Sequence, residues 1–187
     1  MFKESISNEE LLEMPLKSFE GDIILVDSDG KFQFAVEELA KQSIIGFDTE
    51  TKPSFKKGIN NKVALLQLST ENRAFLFRIN RIGLPQELRD ILSNPKILKP
   101  GVAIRDDIKG LRDVVNFEPA GFIELQDIAK DMGIQNFSLK KLAAIFCGFR
   151  ISKGQQLSNW EAPELTEAQQ IYAATDAWAA LKIFEKI

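Results

Sequence analysis

Apolar positions follow two periods along the chain, and the switches between them mark the elements. Asp22-Ile23-Ile24-Leu25-Val26 is a short apolar run that predicts a first strand, closed by a turn at Asp29-Gly30. From Phe32 to Lys41, the near-helical spacing of Phe34, Val36, Leu39 and Ala40 predicts a helix. It leads into a strand from Ser43 to Glu50 that begins apolar and ends acidic. Val63–Leu68 and Ala74–Phe77, flanking Thr70-Glu71-Asn72-Arg73, predict an antiparallel hairpin. A helix over Leu84–Leu92 and a short strand within Lys96–Ile104 follow. Beyond them the pattern is mostly helical: Asp106–Val115, Leu125–Met132, Ser138–Phe146, and a long helix from Glu167 onward. Two capping boxes punctuate the series. Ser7-Asn8-Glu9-Glu10 opens a short helix that stops before Pro15, and Thr166-Glu167-Ala168-Gln169 opens the last one. Strands first, with helices interleaved and following, imply an α/β domain with a mixed β-sheet flanked by α-helices.

Composition narrows the chemistry. The 187 residues are 44% hydrophobic and 27% charged, which suits one domain with a sizeable core and no linker. Histidine is absent, which removes Ser-His and Cys-His nucleophiles, histidine-ligated zinc and every histidine base. Cys147 is the single cysteine and lies in an apolar run, so neither a disulfide nor a cysteine metal knuckle forms within the chain. Hydrolysis here would have to rest on carboxylates, a metal, lysine or tyrosine. The net charge of −3 argues against a generic nucleic-acid coat but leaves room for a locally basic surface. With no apolar leader and no run of about 18 apolar residues, the expected setting is cytoplasmic, without a membrane partner.

Asp48 and Glu50 lie two apart at the end of a predicted strand, where the period of two puts both carboxylates on one face. Two like charges held together favour a neutralising cation, although a solvated strand end carries the same sequence. Tyr172 and Asp176 share a helical face across one turn, with small residues between them that let the helix approach a sheet. A core tyrosine beside an exposed aspartate reads the same way. Asp106 and Asp107 open a predicted helix, where dipole capping alone accounts for acids.

Together these stretches resemble a known family. Phe47-Asp48-Thr49-Glu50 with Pro53, Gly101-Val102-Ala103-Ile104-Arg105-Asp106-Asp107 with Leu111, and Tyr172-Ala173-Ala174-Thr175-Asp176-Ala177 resemble the three exonuclease motifs of the DEDD superfamily, tyrosine subclass. Leu157-Ser158-Asn159-Trp160 and Leu165-Thr166-Glu167-Ala168-Gln169-Gln170 resemble the stretch before the third motif in the Werner syndrome exonuclease group, with ribonuclease D more distant. The resemblance covers residues 22–187 as an exonuclease core behind an N-terminal extension, 1–21. It implies a ribonuclease H-like fold and 3′-5′ exonuclease activity, with Asp48, Glu50, Asp107 and Asp176 as the four carboxylates and Tyr172 as the tyrosine. Counting from Gly101 selects Asp107 over Asp106.

The chemistry agrees. Phosphodiester hydrolysis needs an activated water and a stabilised leaving oxygen, which two ions about 3.5 to 4 Å apart supply. Oxygen ligands select Mg2+ or Mn2+ over zinc. Tyr172 is expected to stay protonated and to orient the attacking water. No small-molecule cofactor is called for.

The partner expected is the 3′ end of a nucleic acid. Residues 137–160 carry Lys140, Lys141, Arg150 and Lys153 and no acid, which would draw phosphates. Phe55, Lys56 and Lys57 follow the first motif in a predicted loop suited to stacking a base and gripping a backbone. Trp160 is expected to pack. Glu124, Asp127 and Asp131 are read as a solvated helix face. The chain ends soon after the third motif, leaving no room for the helical domains of ribonuclease D, which leans toward DNA; DNA repair is an expectation from the resemblance alone. The alternatives are ribonuclease D-like RNA trimming and an inactive binding module of the same fold.

Overall fold

A computed structural model describes residues 2–56, 58 and 60–187. Helix α1 (Asn8–Glu13) opens with the predicted capping box: the Ser7 hydroxyl accepts from the Glu10 N–H while the Glu10 carboxylate accepts from the Ser7 N–H. Strand β1 (Asp22–Val26) has the predicted bounds. Helix α2 (Asp29–Leu39) begins at the Asp29-Gly30 pair, not after it. Ser28 is extended at the N-cap, and Asp29 puts a carboxylate in the first turn, where the helix dipole favours it, so the pair starts a helix instead of closing a turn.

Next come β2 (Gly46–Thr51), β3 (Val63–Ser69) and β4 (Arg73–Phe77), then the one-turn helix α3 (Ile79–Ile82), which the sequence pattern did not reveal, and α4 (Gln86–Leu92). Strand β5 (Lys99–Gly101), helix α5 (Arg105–Val114) and a second unpredicted piece, β6 (Phe122–Glu124), precede α6 (Leu125–Asp131), α7 (Leu139–Cys147) and α8 (Glu167–Phe184). The Thr166 hydroxyl accepts from the Gln169 N–H and completes the second capping box, which starts α8 in register.

The first sheet has the order β1-β4-β3-β2, with β1 parallel to β4 and the other neighbours antiparallel. Strands β5 and β6 pair in parallel. Just before β2, the Ile45 N–H donates to the Leu98 carbonyl at 2.9 Å and the Leu98 N–H donates to the Ser43 carbonyl at 2.8 Å. That parallel bridge joins the two pairings into one mixed surface ordered β1-β4-β3-β2-β5-β6.

Every residue of β3 is buried, because helices cover both faces. On one face Phe47, Leu66, Leu68, Phe75 and Phe77 pack with Val36, Leu88 and Leu111. On the other, Leu65 and Leu76 meet Trp160, Ala173 and Ala174. Trp160 is wholly buried, as expected of a packing residue. Gly46 sets the spacing of this second layer: a Cβ there would overlap the Ala177 carbonyl, so α8 lies directly on β2. Among the described residues no helix is long and apolar enough to cross a membrane.

Candidate active site

The close seating of α8 on β2 is what assembles the site. Alternation along β2 sends Phe47 and Thr49 to the α5 side and Asp48 and Glu50 to the opposite face. There Asp48, Glu50 and Asp176 each offer a carboxylate oxygen, and these oxygens all lie within 4.8 Å of one another. Asp107, in the first turn of α5, lies outside that set of three; it accepts a hydrogen bond from the Thr49 hydroxyl on the α5 side and is near enough for its charge to bear on Asp48 and Glu50. It is half-buried whereas Asp106 is exposed. Tyr172, one turn before Asp176, rests against Trp160 with ring centroids 6.0 Å apart.

The electrostatics record how costly this gathering is without a cation. Burial, and then the charges of Asp176, Glu50 and Asp107, pushes the Asp48 carboxyl well above the usual carboxylate range. Burial, with Asp176 and Asp107, lifts Glu50 to about 9. Asp176 is raised to about 7 by burial, against the opposing pull of the Tyr172 hydroxyl and the Lys153 ammonium. Asp107 rises to about 6 by burial, opposed by the Thr49 hydroxyl. The Tyr172 phenol is pushed above its ordinary value by burial and by the neighbouring carboxylates, so it is a proton donor at neutral pH and not a base. A set of donors made only of carboxylate oxygens, gathered on rigid elements and penalised for sharing charge, fits hard divalent cations.

Asp48, Tyr172 and Asp176 open on a groove whose walls include Lys140, Lys153 and Gln156, so two of the predicted basic residues reach the site. Asp107 opens on a second groove with Lys52, Ser54, Asn61 and Lys109. Of these, Lys52 and Lys109 have no sequence motif to announce them. Arg150 corrects the sequence reading: its guanidinium turns away to donate to the Met14 carbonyl at 3.0 Å, which ties down the N-terminal segment. Lys141 likewise donates to the Ile6 carbonyl. Phe55 is 85% exposed on the loop after β2 and Lys56 is exposed beside it, while Lys57 lies outside the described residues.

Glu124 is a second correction. It is no solvated helix residue: its carboxylate accepts the N–H groups of Ala103, Ile104 and Gln126. Asp127 and Asp131 are exposed, as expected.

A family model described as 3′-5′ exonuclease matches residues 23–187. The mouse protein named bifunctional 3′-5′ exonuclease/ATP-dependent helicase WRN is 34% identical over 185 residues, which is 93% of this chain and 13% of that protein. The crystal structure of the Aedes aegypti Nibbler EXO domain superposes with a TM-score of 0.82 at 26% identity, covering 91% of this chain and 90% of that one. Escherichia coli RNase D, described as an exoribonuclease involved in structured RNA processing, superposes with a TM-score of 0.80 at 24% identity over 88% of this chain and 44% of that one, a likeness of fold. The mixed sheet flanked by helices is thus the ribonuclease H-like fold that the motifs implied.

Proposed function

The chain belongs to the DEDD 3′-5′ exonuclease family, and from that premise we propose that it removes nucleotides from the 3′ end of DNA with two divalent cations, Mg2+ or Mn2+, held by Asp48, Glu50, Asp107 and Asp176. The observation that carries the reading is the convergence of Asp48, Glu50 and Asp176 oxygens within 4.8 Å, with Asp107 alongside. When bound, such ions supply charge neutralisation for the phosphate and help ionise the attacking water.

The side chains do the rest. Tyr172 keeps its proton, and its hydroxyl, held over Asp176 by the helix and backed by Trp160, orients the attacking water. Lys153, close enough to favour the ionised form of Asp176, and Lys140 line the same groove and grip the phosphates of the strand. Phe55 and Lys56, exposed just after the first pair of carboxylates, would meet the terminal nucleotide.

DNA is preferred because the motifs resemble the Werner group more than ribonuclease D. The chain spans 13% of its mouse relative and 40% of a 34% identical mimivirus protein. RNA is the second reading, favoured by the fold likeness to Escherichia coli RNase D.

Labelled single-stranded DNA, 3′-recessed duplex and RNA, each incubated with Mg2+ or Mn2+, test the proposal alongside Asp48→Ala. Stepwise shortening of DNA from the 3′ end, absent in the variant, is expected. Shortening of RNA alone would move the assignment to the second reading, and shortening that survives in Asp48→Ala would remove the carboxylates from the chemistry.

A further inference from the structure

The fourth carboxylate reaches the site by an unusual piece of backbone. Between β5 and α5 the chain turns through Val102, Ala103 and Ile104, and Ala103 has φ of 59°, the one positive value at a non-glycine residue among those described. Alanine does not hold that conformation by preference. Something must hold it there, and what grips it is Glu124, about twenty residues further along the chain. Its Oε1 accepts the Ala103 N–H and its Oε2 the Ile104 N–H, both at 2.8 Å, while Oε1 also accepts the Gln126 N–H at 3.1 Å and so caps α6. Charge-assisted bonds to backbone donors are the strong kind, and one carboxylate here ties two elements together.

The held turn leads straight into α5: Ile104 is its N-cap, with no side-chain capping bond of its own, and Asp107 sits in its first turn. Gly101, at the other end of the turn, packs closely against its neighbours: a Cβ there would overlap the Ile104 side chain and press on the Phe47 carbonyl of β2. The other tie between the segments, Arg105 with Asp127 at 3.2 Å, is exposed at both ends and holds little. Glu124 itself does not belong to the Asp48, Glu50 and Asp176 cluster.

We propose that Glu124 is the positioning residue for Asp107: by holding the Ala103–Ile104 turn it fixes where α5 starts, and so where the fourth carboxylate stands relative to β2. The proposal rests on the reading of Asp107 as a metal ligand.

The test follows Mn2+ alone, by titrating each folded variant isothermally with Mn2+ and reading the midpoint of binding, in parallel with melting in chelator and DNA cleavage. Glu124→Gln keeps the shape but replaces one acceptor oxygen with a donor facing an N–H. It is expected to raise the Mn2+ midpoint on the order of tenfold, the size of effect seen when outer partners of metal ligands are altered, while melting in chelator changes little. In the Asp107→Asn background the same substitution should move the midpoint by less than about twofold, because the residue it positions is already disabled. A lower melting temperature in chelator with an unchanged midpoint would overturn the proposal, as would a full additional loss on top of Asp107→Asn. If Glu124→Gln does not fold, Glu124→Asp, which keeps the charge with a shorter reach, should give a smaller rise in the midpoint; failure of both to fold makes Glu124 a residue of the fold and ends the proposal. An Asp107→Asn protein with the wild-type midpoint would remove Asp107 as a ligand and take the proposal with it, an outcome distinct from one in which Asp107→Asn shifts the midpoint and Glu124→Gln does not.

Discussion

Gly46→Ala places one methyl group between β2 and α8, and it probes the contact on which the site depends. The added Cβ would overlap the Ala177 carbonyl oxygen and lie 2.8 Å from its carbon and 3.1 Å from the Leu181 Cβ. Carbon atoms pack best at about 3.5 to 4.0 Å, so α8 must retreat by on the order of 1 Å. The neighbouring atoms are backbone and a Cβ, which cannot swing aside as the end of a long side chain can. Overpacking of this kind costs about 1–3 kcal/mol, which for a chain of this length lowers the melting temperature by roughly 2–12 °C. The functional loss should exceed the structural one. Asp176 travels with α8 while Asp48 and Glu50 stay on β2, and a misplacement of about 1 Å in a catalytic constellation costs on the order of a hundredfold in rate. Calorimetry and nuclease kinetics, both below the variant's melting temperature, separate the two effects. A folded Gly46→Ala protein with wild-type kcat and Mn2+ dependence would refute the claim that α8–β2 spacing sets the site.

Three further outcomes follow from the same geometry. In chelator, the raised carboxyls of Asp107, Asp176 and Glu50, at about 6, 7 and 9, bind more protons in the folded than in the unfolded chain, so stability should fall as pH rises through these values and Mn2+ should flatten the slope; melting curves at several pH values check this, and a metal-free stability that rises over that range would contradict it. Tyr172→Phe keeps the ring against Trp160 and removes only the hydroxyl, so kcat should drop at least tenfold with KM nearly unchanged; full turnover would make Tyr172 a packing residue. Replacing Lys140 and Lys153 with Ala should weaken DNA binding and flatten its salt dependence, read from binding isotherms at several salt concentrations, whereas an unchanged slope would return both lysines to the solvated surface.

The sequence discloses what is local or tied to chemistry. Strand β1 is legible from its apolar run, and α1 and α8 from capping boxes whose donors and acceptors lie three residues apart. Asp48 with Glu50 and Tyr172 with Asp176 are legible because strand and helix periods fix their faces. What stays hidden depends on contacts distant in sequence or on very short elements. Strand β6 has three residues and exists because β5 pairs with it. Glu124 looks like any acid at a helix start until the fold brings Ala103 and Ile104 to its carboxylate. Arg150 shares its basic stretch with Lys153, but only the structure tells that Met14 claims the one while Asp176 faces the other. At Asp29-Gly30 two local signals compete, and the extended Ser28 decides for the helix.

Crystals soaked with Mn2+ and measured at a wavelength where manganese scatters anomalously would show whether the site's carboxylates hold the ions. Two anomalous peaks about 3.5–4 Å apart, bounded by Asp48, Glu50, Asp107 and Asp176, are expected, with the loss of at least one in Asp48→Asn. Density for manganese elsewhere on the protein, with none among these carboxylates, would contradict it.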